Sequence, residues 1–268
     1  MNVDDWTVDL GGVMLKNLGA RSITDWVTIM LRNLLISGGW AHDFAVTAPL
    51  LAACIDESQP VGLETTIVMD LEQATHQLLA QKWDLITIYA CWFKMSDARY
   101  SVEQRAQWAC QTSNQFRGAL DECRRRGVPL LAVHTAPICF DDWGAWRSWL
   151  GGTWQWGTSF HPAPENLTVQ VVGNSPILAG LDTFTVFDEL YSNLAVSSQA
   201  EVQLASPGAR VGDKAEPMLW THVSGSSRVV YSALGHDQVS LKNETHRRII
   251  RRSVAWLMGA APEVVIAA

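Results

Sequence analysis

The sequence has no CxxC pair, and its five cysteines (Cys54, Cys91, Cys110, Cys123 and Cys139) are odd in number and widely spaced. That pattern argues against a zinc ribbon or a disulfide framework and predicts reduced thiols in a cytoplasmic setting. No apolar run approaches the roughly 20 residues of a membrane-spanning helix. The N-terminus carries Asp4, Asp5 and Asp9 where a secretory leader would be basic. Neither a signal peptide nor a membrane anchor is expected. Positive charge is scarce as well. With 20 Lys and Arg against 27 Asp and Glu, the net charge is -7, and no cationic stripe exists to neutralise phosphates, so a nucleic-acid partner is not expected. The run Arg124-Arg125-Arg126 falls at the end of a predicted helix, where cations suit the dipole. Repeats and low-complexity segments are also missing.

What is present is a chain of 268 residues, 48% apolar and 18% charged, with ample material for a core. The 13 tryptophans are unevenly spread. Between Val133 and Pro162 lie Trp143, Trp146, Trp149, Trp154 and Trp156, bracketed by His134 and His161 and interrupted by Gly151-Gly152. Core filling alone does not call for such a density. Aromatic faces suit the CH faces of sugar rings, and imidazoles serve as acid, base or ligand near neutral pH, so the segment is expected to wall a pocket. Trp146 and Trp149, at helical spacing, are expected in the core, whereas Trp143, Trp154 and Trp156 are the pocket candidates. Trp26, Trp83, Trp108 and Trp256 fall in or beside helical patterns and are assigned to packing.

From residue 32 onward, apolar runs alternate with helical patterns. Strands are predicted at 34–37, 65–69, 84–90 and 129–133, with helices at 44–55, 71–81 and 102–126 between them. Further strands at 166–172, 201–205 and 228–234 precede a closing helix at 244–258. Repeated βαβ units of this kind give an α/β fold with a mainly parallel sheet flanked by helices, and ligands then sit at the strand carboxyl ends. The chain divides into an N-terminal extension (1–31), an α/β domain (32–260) and a C-terminal tail (261–268). The extension contains a helical pattern at 22–31. Its Trp6, Val8 and Leu10 suit either a homo-oligomer contact or packing over the domain's own sheet edge.

Six short motifs stand in order at the predicted carboxyl ends: Gly38-Gly39-Trp40-Ala41-His42-Asp43-Phe44, His134-Thr135-Ala136, Gly151-Gly152 through His161-Pro162, Asp188-Glu189-Leu190-Tyr191, Pro217-Met218-Leu219-Trp220 and Leu234-Gly235-His236-Asp237. Each alone is weak, but the ordered set over 32–259 resembles the ThuA-like (trehalose utilisation) family. The resemblance implies a flavodoxin-like, class I glutamine amidotransferase-like fold. In such amidotransferases a nucleophilic cysteine follows a strand of the PLLAV kind, and this sequence has His134 there. Glutamine hydrolysis through a thioester is therefore not expected, and all five cysteines are assigned structural roles.

The resemblance further implies work on a small-molecule sugar or glycoside, notably a 3-keto-glycoside, through acid–base chemistry without a nucleophile. A 3-keto group acidifies the C2 hydrogen, so a base can remove it, the C1 leaving group can depart, and water can add. His134, His161 and His236 are the candidate proton carriers, with Asp188 and Glu189 as their carboxylate partners. Gly38, Gly39, Trp40, His42, Trp143, Trp154, Trp156, Tyr191, Trp220 and Asp237 are the candidate substrate-binding residues. No cofactor is demanded by the sequence. Imidazole and carboxylate ligands would suit zinc or manganese in the polarising role, although no HExxH-like spacing supports it. Structural alternatives stand beside these roles. Each histidine can be a hydrogen-bonded residue at a strand end, His42 with Asp43 can cap a helix, Asp188-Glu189 can be a solvated pair, and His76, His222 and His246 are assigned to structure. A non-catalytic carbohydrate-binding or assembly module, or a metal-dependent hydrolase of amides or esters, are the alternatives in function.

Overall fold

The computed structural model describes residues 30–59 and 61–268, so the expected extension, its helical pattern and its apolar contact residues lie almost wholly outside the described residues. Strand β1 (Leu31–Gly39) is buried continuously from Asn33 to Gly38, as a central parallel strand covered on both faces must be. The chain then runs through helix α1 (Phe44–Asp56), β2 (Leu63–Val68), α2 (Leu71–Ala80) and β3 (Leu85–Cys91). Next come α3 (Val102–Trp108), α4 (Asn114–Arg125) and β4 (Leu130–Val133). Helix α5 (Gly144–Leu150) follows, then β5 (Gly152–Thr153), β6 (Glu165–Val171), a 3-10 turn at Pro176–Leu178, β7 (Phe184–Asp188), β8 (Ala195–Val196) and β9 (Glu201–Ser206). The β10 (Glu216–Ser224) and β11 (Ser227–Ser232) hairpin and helices α6 (Gln238–Lys242), α7 (Glu244–Leu257) and α8 (Pro262–Ala267) complete the fold.

Nine strands form one sheet in the order β2-β1-β3-β4-β11-β10-β9-β6-β7. The first five are mutually parallel, and an antiparallel set continues from β11 through β10, β9 and β6 to β7. Helices α1, α6, α7 and α8 pack together as one group, and α2 packs on α4 as another. The core is dominated by aliphatic residues of the parallel strands, such as Leu34, Leu35, Ile36, Ile86, Ile88, Leu130 and Leu131, all with no solvent exposure.

Two expected boundaries differ. The single helix expected over 102–126 is two, because Ala109 turns extended and residues 110–112 find partners elsewhere. The Cys110 N–H donates to the Phe93 carbonyl, and Thr112 donates through both its N–H and its hydroxyl to Asp142. Ser113 then caps α4 by accepting from the Phe116 N–H, a local competitor to continuous helix. The expected C-terminal tail is also ordered. Its residues form α8, whose Val265 is fully buried, and the Arg252 guanidinium donates to the Ala179 and Ile266 carbonyls at 2.8 and 2.7 Å. Among the described residues no helix is long and apolar enough to cross a membrane.

Candidate active site

The carboxyl ends of β1, β3, β4 and β11 meet along one edge of the sheet, and those of β1, β4 and β11 open into turns with left-handed backbone at Gly38, Gly39, His134 and Gly235. At the end of β1, Gly39 has φ +104, and a Cβ there would stand 2.3 Å from the Cys91 carbonyl oxygen, so only glycine lets the turn run this close to β3. His134, the first residue after β4, has φ 52 and no solvent exposure. A left-handed conformation costs a non-glycine residue roughly 1–3 kcal/mol and persists only where its surroundings impose it. Here the His134 N–H donates to Ser232 O at 2.7 Å, and its carbonyl accepts from the Tyr231 hydroxyl at 2.9 Å.

The turns after β1, β4 and β11, together with the loop after β7, bring four side chains from distant parts of the sequence onto one point. His134 Nδ1 lies 2.8 Å from the Ala233 carbonyl, which can only accept, so Nδ1 carries the ring hydrogen and Nε2 of the neutral ring presents a lone pair. That Nε2 is 3.1 Å from His42 Nε2, 3.3 Å from the Tyr191 hydroxyl and 3.5 Å from Glu189 Oε2. His42 is fixed in the same sense, its Nδ1 donating to the Trp40 carbonyl at 3.2 Å. Glu189 Oε1 faces His161 Nδ1 at 3.2 Å and His236 Nδ1 at 3.4 Å. One donor atom from each of His42, His134, Glu189 and His236 lies within 4.8 Å of the others, a set able to hold a metal ion. Glu189 Oε2 and His236 Nδ1 are buried without a hydrogen bond of acceptable geometry among the described residues.

Burial, and then the neighbouring His134 imidazole, depress the His42 pKa to about 3, with the hydrogen bond to the Trp40 carbonyl acting the other way. Burial pushes the Glu189 carboxyl up, but the imidazoles of His134 and His236 outweigh it and hold the group well below the usual carboxylate range. For His236 burial works downward, and the neighbouring Glu189 carboxylate reverses the sign, so its pKa is raised.

Asp188 does not reach the cavity. It is fully buried, accepts from the Glu189, Gly235 and His236 N–H groups at 2.8, 2.7 and 3.3 Å, and thereby ties the loop after β7 to the loop after β11. Its place is that of a positioning residue, not the solvated pair or proton partner that the sequence suggested. His134, equally buried, has no surface with which to meet a substrate. Of the three histidines expected to carry protons, only His236 and His161 reach solvent, with side chains 22% and 39% exposed.

Above the cluster is a cavity of about 190 Å³ with aromatic walls. Trp40, Trp154 and Trp156 line it, as do Phe93, Tyr100 and Phe160, which sequence reasoning did not single out. Trp40 meets Tyr100 edge-on at 6.2 Å, and Phe93 stands 5.3 Å from Trp156. Arg99 also borders the cavity. Nothing in the stretch from Lys94 to Tyr100 marks it as pocket wall, because irregular loops carry no periodicity. A larger depression of about 610 Å³, between α2 and the α3–α4 connection, contains His76 but no converging set of catalytic groups.

Other singled-out residues lie elsewhere. Trp220 is fully buried, donates its indole N–H to Leu150 O at 2.9 Å and stacks on Tyr231, so it belongs to the core. Trp143 stands at the N-cap of α5 and does not line the cavity. Asp237 caps α6, accepting from Val239 and Ser240 N–H groups at 2.8 and 3.1 Å. Tyr191 is in the cavity wall with its hydroxyl turned to His134, whereas Gly38 and Gly39 shape the turn beneath Trp92. Trp146 and Trp149 are core residues as expected. No sulfur stands at the turn after β4. Burial pushes the Cys91 thiol far up and the Cys54 thiol to about 11, so neither is primed as a nucleophile.

The profile of the ThuA family, described as trehalose utilisation, matches residues 34–257. No curated protein sequence matches the chain. Among solved structures, a thua-like protein from Parabacteroides merdae superposes with a TM-score of 0.68 at 15% identity, covering 87% of this chain and 91% of its own. A thua-like protein from Bacteroides uniformis gives 0.62 at 16% identity, over 87% and 94% of the two chains. A cytoplasmic protein from Salmonella typhimurium gives 0.56 at 10% identity, over 85% and 99%. At these identities the likeness is one of fold.

Proposed function

This chain belongs to the ThuA (trehalose utilisation) family, and from that premise we propose that it is an enzyme of carbohydrate metabolism acting on a keto-glycoside at the histidine cluster. The observation that carries the reading is the meeting of His42, His134, Glu189 and His236 at the floor of an aromatic-walled cavity on the carboxyl edge of the sheet. The cavity is smaller than the roughly 300–1,000 Å³ of drug-sized sites, which suits one sugar ring at the floor and a leaving group toward solvent. Trp40, Tyr100 and Trp156 offer faces to the ring CH groups.

In this reading His161, the outermost imidazole of the cluster and adjacent to Glu189, carries the proton. It takes the C2 hydrogen of a 3-keto-glycoside, and the buried cluster stabilises the enolate oxygen. The electron pair of the broken C2–H bond forms the C1=C2 bond as the C1–O bond breaks, and the departing alkoxide takes up a proton. Water then returns OH to C1 and H to C2, so the net change is hydrolysis and no oxidant is consumed. A cytoplasmic location accords with the unpaired cysteines.

The test is turnover of purified protein on 3-keto-glucosides and their unoxidised parents, with product identification. Cleavage confined to the keto forms is the expected result. Saturable binding of either form without turnover would instead make the chain a carbohydrate-binding module.

A further inference from the structure

The floor of the cavity holds a contact that its own hydrogens satisfy only in part: the Tyr191 hydroxyl can donate to His134 Nε2 at 3.3 Å, but among the described residues no hydrogen is directed at His42 Nε2. The Ala233 and Trp40 carbonyls each require a ring N–H, which fixes His134 and His42 as Nδ1–H tautomers and leaves two Nε2 lone pairs facing each other at 3.1 Å. Two lone pairs at that distance repel unless a cation lies between them. The other groups at this point deepen the need. Glu189, 94% buried by its 6% exposure, aims an unpartnered Oε2 at the same place, and His236 adds a buried Nδ1 that is also unpartnered.

We propose that His42, His134, His236 and Glu189 bind one divalent transition-metal ion, zinc or manganese. The spacing fits. Metal–nitrogen and metal–oxygen bonds of about 2.1 Å place neighbouring ligand atoms about 3.0 Å apart at right angles and about 3.4 Å apart in a tetrahedron. The observed separations are 3.1 Å from His42 Nε2 to His134 Nε2, 3.5 Å from His134 Nε2 to Glu189 Oε2 and 3.4 Å from Glu189 Oε1 to His236 Nδ1, so the carboxylate turns one oxygen to each side, and one donor atom from each of the four residues lies within 4.8 Å of the others. The surrounding hydrogen bonds fit as well, since a ligating histidine ordinarily donates its other ring N–H to a carbonyl or carboxylate, as both fixed rings do here. Three imidazoles and one carboxylate form a borderline donor set, suited to zinc or manganese and too nitrogen-rich for magnesium or calcium.

The ion explains features that proton chemistry alone leaves idle. It gives the fully buried His134 a use, and with it a reason for the left-handed backbone that sets the ring in place. His42 and His236 are partly exposed and line the cavity, so a sugar held there would lie beside the ion. The inference rests on the cluster being the reaction centre and specifies the polarising group there. His161, outside the ligand set, remains the proton carrier.

Cobalt titration of chelator-stripped, full-length protein tests it, because Co²⁺ in a nitrogen-rich site gives visible d–d absorption without any substrate. About one equivalent should bind per chain, and binding should weaken roughly 100-fold or more in both His42→Ala and Glu189→Gln. His42→Ala lies in a surface loop, so it remains informative should the buried Glu189→Gln variant fail to fold. Absence of bound cobalt in the wild type, or equal binding by folded His42→Ala, overturns the metal site. Stoichiometric cobalt with no turnover of any sugar derivative upholds the metal site and removes the keto-glycoside reading. Turnover of the keto-glycoside by protein that binds no cobalt upholds the keto-glycoside reading and overturns the metal site.

Discussion

At the scale of single residues, the side chains nearest the chemistry are held by others that never meet a substrate. Asp188, buried and accepting three backbone N–H groups, is the clearest of these. Asp188→Asn replaces one acceptor with a donor facing those N–H groups, and the loss of stability should be about 2–4 kcal/mol by urea denaturation. A change below about 0.5 kcal/mol, the range of ordinary surface substitutions, would remove the clamp from the account. Trp220 sets the opposite case. Trp220→Ala should cost about 3–5 kcal/mol through the cavity it leaves, yet leave kcat per folded molecule unchanged, since the side chain lies in the core. A selective loss of kcat would return Trp220 to the site.

These two residues also show what the sequence could tell. Glu189 stood out with Asp188 because a carboxylate pair in an apolar run is costly without a purpose, and His161 and His236 because their motifs fall at the expected carboxyl edge of the sheet. Trp220 stood out equally, in a motif shared with the family, but β10 is buried on both sides of the chain around it, so alternation could not show which way it faced. His42 was legible as a pocket residue but not as a partner of His134, 92 positions away, because no local pattern encodes a contact made by two separate strand ends.

At the scale of elements, boundaries follow local hydrogen-bond competition more than propensity. Unbroken apolar runs located β1, β3 and β4, and helical periodicity located α7. It joined α3 to α4, since Ser113 marks a cap only once Thr112 is committed to Asp142. Ser113→Ala should destabilise the protein by about 1 kcal/mol with an unchanged denaturant slope. A neutral result would mean that Asp142 and Arg117 alone fix the break. The α6–α7 junction gives a prediction in pH. His246 is buried, and burial, with His134 and Arg247 acting the same way and Asp188 and the Ser240 carbonyl opposing, lowers its pKa below the ordinary 6.5. Below 6.5 the unfolded ring takes a proton that the folded ring refuses, so folding stability falls as pH falls through this window and is full above it. His246→Gln should lose less stability than the wild type between about pH 7 and pH 5, the interval spanning the ordinary histidine pKa. Parallel curves for the two proteins would contradict the assignment.

At the scale of the molecule, the parallel half of the sheet supplies the turns that carry the cluster, and the antiparallel half supplies Glu189 and Tyr191 from beyond β7. Repeated βαβ periodicity made the first half legible. The second half was only partly so, because β10 is buried along most of its length and shows no alternation, and nothing local announces that β7 ends the sheet. The site therefore exists only when both halves are assembled around Asp188.

The most direct test of the central claim, that this assembled cluster is a reaction centre on a sugar, is a paired measurement of binding and turnover for His161→Gln on a 3-keto-glucoside. With its side chain 39% exposed, His161 can be replaced without disturbing the core. Loss of the proton carrier should lower kcat about 100- to 10,000-fold while Kd stays within a few-fold. A variant that turns over like the wild type would contradict the claim, as would a wild type that binds the sugar and leaves it unchanged.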